Sequence, residues 1–65
     1  MTTSELREVF NVLVIFHAYR KSDLAIIEQD NGKNDTLAKS YREEVKAIER
    51  ALDSVRKELS TNEQR

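Results

Sequence analysis

His17 is the only histidine in the chain, and there is no cysteine to accompany it. Zinc binding takes several imidazole or thiolate ligands, and acid–base or nucleophilic work takes a histidine held by a second group. A lone imidazole offers neither, so no metal and no cofactor is expected. The cluster Asp30-Asn31-Gly32-Lys33-Asn34-Asp35 has the look of a cation-binding turn. A calcium loop beginning at Asp30 needs oxygen ligands at its third and twelfth positions, where Gly32 and Tyr41 stand. Carboxylates are numerous, but none stands in the apolar surroundings that acid–base catalysis relies on. No catalytic residue is expected, and the chain reads as a non-enzyme.

The basic residues Lys39, Arg42, Lys46, Arg50 and Lys57 are the remaining chemical candidates. On a helix they fall within an arc of about 80°, a line able to track a phosphate backbone. Glu43, Glu49 and Asp53 are interleaved with them, and the whole chain carries eleven basic and twelve acidic residues for a net charge of −1. That balance gives no general attraction to nucleic acid or to an anionic membrane. A solvated outer face is the simpler reading of this line, with nucleic-acid binding second.

The elements that must position these residues are helices. The single glycine, Gly32, stands near the midpoint and there is no proline. Asn31 or Gly32 can end one helix, and Asn34, Asp35 or Thr36 can begin the next. The reading is therefore all-α: one domain over residues 1–65, with a helix at about 4–29, a turn at 30–35, a helix at about 36–59 and a fraying tail at 60–65. Thr2 and Glu5 have capping-box spacing, which allows a slightly earlier start. A short loop between helices of similar length makes an antiparallel hairpin. In the second helix Ala38, Tyr41, Val45, Ile48, Leu52, Val55 and Leu59 alternate at spacings of three and four, an unbroken heptad seam.

The first helix has no comparable wet side. Leu6, Val9, Leu13 and Phe16 form one stripe, Phe10, Val12, Val14, Ile15 and Tyr19 spread the apolar surface around the cylinder, and beyond the polar break Arg20-Lys21-Ser22-Asp23 it resumes at Leu24, Ala25, Ile26 and Ile27. Val9 to Phe16 is also rich in strand-forming residues, but no second such run exists to pair with it. A helix apolar on most sides must be covered on most sides. Sixty-five residues without disulfide or metal need oligomerisation to complete a core. A homodimer closing a four-helix bundle is thus expected, with a protein partner meeting Val14, His17, Tyr19 or the outer face of the second helix. The longest apolar stretch, Val12 to Phe16, is far short of a membrane span, which takes roughly 20 residues. The lack of cysteine suits a reducing, cytoplasmic setting.

Three short stretches carry resemblances. His17-Ala18-Tyr19-Arg20-Lys21-Ser22 resembles the phosphoacceptor stretch of histidine-phosphotransfer domains, with Lys21 where that family has glycine. It is also similar to the dimerisation hairpin of histidine kinases, with Ala18 in place of the acidic residue after the histidine. Leu52-Asp53 resembles part of the second-helix motif of aspartyl-phosphate phosphatases of sporulation signalling, with Glu49 and Arg50 at the leading Ser-Gln positions. The architecture as a whole resembles that of plasmid copy-control proteins that bind paired RNA hairpins as dimers of helical hairpins. Taken together, the residues favour a small regulatory or adaptor protein, of the kind that phages and mobile elements encode as accessory factors.

Overall fold

The computed structural model describes residues 1–63 as two helices, α1 (Thr3–Asn31) and α2 (Thr36–Glu63), packed against each other. Both run beyond the limits expected from sequence. At the start of α1, Thr2 is extended and its hydroxyl accepts from the Glu5 amide at 3.1 Å, while the Glu5 carboxylate accepts from the Thr2 amide at 3.0 Å. This capping box satisfies amides that no helical carbonyl can reach, so the helix begins at Thr3 rather than Ser4. At the far end, Gly32 takes φ +90° and its amide donates to the Glu28 carbonyl at 2.9 Å. That backbone conformation favours glycine, and the turn narrows to residues 32–35.

Asp35 starts α2. Its side chain accepts from the amides of Leu37 at 3.0 Å and Ala38 at 3.3 Å, and its own amide donates back to the Gly32 carbonyl. At the other end, α2 continues through Ser60, Thr61 and Asn62 to Glu63, where a fraying tail was expected. No glycine or proline interrupts this polar segment, so the helix runs on, with the hydroxyl of Thr61 bonded back to the carbonyl of Lys57. The remainder of that expected tail, Gln64 and Arg65, lies outside the described residues.

The hairpin is antiparallel: ion pairs link Arg20 to Glu44 and Glu28 to Arg42, so later α1 residues meet earlier α2 residues. Its core lies along the α2 seam, where Ala38, Val45, Ile48 and Leu52 are buried and Tyr41, Val55 and Leu59 half-buried. On α1 only Leu6 is fully buried. The register from there runs Leu6, Phe10, Leu13, His17, Arg20, Leu24, Ile27, alternating by four and three, with each after Leu6 half-buried. Val9 is half-buried beside it. Phe16, expected to continue the stripe from Leu13, is instead 44% exposed. The register that joins Leu13 to Leu24 passes through His17 and Arg20, which turns Phe16 aside.

Candidate functional site

Two polar residues in the middle of the α1 seam divide the hairpin into two unlike edges. On one edge His17 Nε2 lies 3.1 Å from Glu49 Oε2. A turn or more away, Arg42 donates to Glu28 Oε1 and to the Lys33 carbonyl, both at 3.1 Å. An open groove of about 590 Å³ on this side is lined by His17, Lys46, Glu49, Arg50 and Arg56. On the opposite edge Arg20 Nε lies 3.3 Å from Glu44 Oε2, and its Nη1 lies 3.9 Å from Asp23. The Arg20 guanidinium sits 5.1 Å from the Phe16 ring centroid and 4.9 Å from that of Tyr41. Its Nε–H meets no acceptor along the bond direction, so the contact with Glu44 is coulombic rather than a directed hydrogen bond.

The Arg20 edge is apolar above and below that pair. Val12 (65% exposed), Ile15 (57%), Tyr19 (69%) and Ile26 (55%) follow one another at three, four and seven residues, with Phe16 alongside. These spacings place them in one stripe on the outer side of α1, roughly 130° around the helix from the seam at 100° per residue. Leu37 of α2 is also exposed, and Val55 half-buried. Val14 is exposed as well, but it lies around the other side of α1 from Tyr19. Of the three residues expected to meet a partner, Val14 and Tyr19 are exposed on different sides of α1 and His17 is half-buried in the seam. Tyr19 shares its exposed stripe with Val12, Ile15 and Ile26. Their 3-4-7 spacing was present in the sequence, hidden by the other apolar residues around them.

The basic line of α2 is likewise divided. Arg42 is half-buried and held by Glu28, and Lys57 pairs with Asp53 at 3.3 Å. Lys39, Lys46 and Arg50 remain exposed and form no ion pair among the described residues.

Comparison with protein families, curated proteins and solved structures finds no match to this chain. His17 has one ring nitrogen on the Glu49 carboxylate, a pair that links the two helices at the middle of the seam. Among the described residues no three His, Asp or Glu side chains are grouped to hold a metal ion. No helix among them is long and apolar enough to cross a membrane. Glu5 titrates below the ordinary glutamate range because its carboxylate accepts from the Thr2 amide and hydroxyl, a capping role rather than a catalytic one. The two edges thus offer an apolar stripe on one side and a mixed, partly basic groove on the other.

Proposed function

We propose that this protein is a small, non-enzymatic regulatory or adaptor protein that acts through protein–protein contacts, assembled as a helical homodimer. The observation that supports this reading is the exposed stripe Val12, Ile15, Tyr19 and Ile26 on a helix whose other side already packs on α2. Isolated exposed apolar residues are ordinary, but Val12, Ile15 and Tyr19 at heptad spacing, resumed by Ile26 beyond the polar Ser22, make the pattern of a helix that has a second partner. Two hairpins joined along it form a four-helix bundle.

Light scattering tests the assembly. The 7.6 kDa chain should run as a dimer at low micromolar concentration, with a melting temperature that rises with concentration. Ile15→Asp and Tyr19→Asp should each yield a helical monomer. A wild type that is monomeric and melts independently of concentration sinks the dimer.

A second reading, nucleic-acid binding by a helical dimer, draws support from the groove edge, where Lys46, Arg50 and Arg56 lie together. Glu49 and Asp53 line the same groove and weaken its field. The protein-contact reading therefore stands first.

A further inference from the structure

The charges around the apolar stripe are nearly all of one sign. On α1, Glu5 and Glu8 precede Val12, and Asp23 and Asp30 bracket Ile26. Glu44 joins them from α2, since it meets Arg20 on this edge, and Glu58 lies two heptads further along the same side. These carboxylates are exposed. Arg20 is the one cationic side chain on the edge among the described residues, and it is held between two rings and two carboxylates. The exposed cations Lys46, Arg50 and Arg56 lie on the far edge, beside Glu49.

This pattern bears on what fits the stripe. A two-fold dimer built on it sets carboxylate against carboxylate whichever way the helices run. Parallel α1 helices bring Glu8 to the second copy's Glu8. Antiparallel ones crossing near Phe16 bring Glu8 to the second copy's Asp23. The apolar contact favours such a dimer while its rim opposes it.

We propose that the preferred occupant of this edge is an amphipathic helix of another protein, with apolar anchors bracketed at both ends by lysine or arginine, and that it displaces the homodimer. The inference rests on the stripe being the recognition surface. Leucine-like anchors at i, i+3 and i+7 match Val12, Ile15 and Tyr19, and basic brackets meet Glu8 at one end and Asp23 and Asp30 at the other. Salt separates the two occupants by sign. Screening over a Debye length of about 10 Å at 0.1 M relieves the like charges of the homodimer and weakens the opposite charges of the complex.

The test uses two synthetic helical peptides with the same central leucines, one ending in lysines and its twin in glutamates, read by fluorescence anisotropy. The lysine peptide should bind one to one, about tenfold more tightly than its twin, and weaken with added salt while self-association of the protein alone strengthens. Glu8→Lys combined with Asp30→Lys should invert the preference between peptides. Equal binding of both peptides, binding of neither, or a preference unmoved by the double variant overturns the proposal. Tyr19→Asp distinguishes the levels. If it abolishes self-association while the peptides are not discriminated, the stripe is a recognition surface and only the charge-selected partner falls. If it changes neither self-association nor peptide binding, the stripe is not the recognition surface and both readings fall.

Discussion

α1 and α2 are nearly equal in length, at 29 and 28 residues, and meet along the same alternation of threes and fours, yet they are built on opposite plans. Each seam position of α2 is apolar or aromatic, and its far side is charged. α1 places His17 and Arg20 in the middle of its seam and leaves Val12, Ile15, Tyr19 and Ile26 outside. A helix that only had to hold the hairpin together would have those types exchanged. The contrast teaches that α2 is specialised to fold the hairpin and α1 is divided between folding it and offering a surface.

The sharpest way to break this contrast is a charge in each helix at its most apolar place. Leu52→Asp puts an unpaired carboxylate in the core, at a cost of several kcal/mol, comparable with the whole stability of so small a domain. Helicity by circular dichroism should be largely lost. Tyr19→Asp should leave the helicity of the hairpin in place. A folded Leu52→Asp variant would show that α2 does not carry the core.

A second comparison lies inside α1. Leu24→Ala should cost about 2–5 kcal/mol at most, scaled down by its partial exposure, as expected for a truncated core leucine. Arg20→Leu should cost less than about 1 kcal/mol, because the lost ring and carboxylate contacts are offset by an apolar side chain in the seam. Chemical denaturation of the two variants measures both. An Arg20 variant as damaging as the Leu24 variant would make the polar layer a structural necessity.

The outer face of α2 is expected to be more tolerant. Lys39→Glu, Lys46→Glu and Arg50→Glu together replace exposed side chains, each a change of about 0.5 kcal/mol or less at such sites. The triple variant should keep its fold and, if the proposed function holds, its capacity to associate through the α1 stripe. Tight, salt-sensitive binding of an RNA hairpin by the wild type, lost in the triple variant, would promote the nucleic-acid reading.

The smallest effect concerns the start of α1. Glu5 titrates low in the folded chain, chiefly because it accepts the Thr2 backbone hydrogen bond. A depressed carboxylate contributes stability above its unfolded pKa and loses it as pH falls through the folded one. On acidification below the ordinary glutamate range, the first turn of α1 should fray while the α2 seam persists. Amide exchange at Glu5 and Leu6 followed against pH checks this, and Glu5→Gln should remove most of the dependence.

The hairpin could be read from sequence because its signals are local, a stop and a start within residues 30–36, although Asn31 and Gly32, and Asn34, Asp35 and Thr36, stood open as its caps. The α2 seam has one phase only. α1 was harder for a physical reason. With Val9, Phe10, Val12, Leu13, Val14, Ile15 and Phe16 almost consecutive, several stripes fit equally well. Only the position of α2 selects the one that passes through His17 and Arg20. A search for apolar periodicity steps over both of those residues, so the polar layer and the stripe it displaces became visible together, in three dimensions.

The capped turn also governs how the hairpin opens. Gly32 to Asp35 joins the helices at one end of a rod 48 Å long, so the tether holds its neighbours at high local concentration and the far end much less. At that far end Met1 lies beside Lys57 and Thr61, and Leu6, only 2% exposed, is the most buried residue of α1. Leu6 is the latch of a structure hinged at the other end. Filing that latch down to alanine should let the two tips part and close repeatedly while the half nearest Gly32 stays shut, a breathing motion that begins at the end of the rod farthest from the turn.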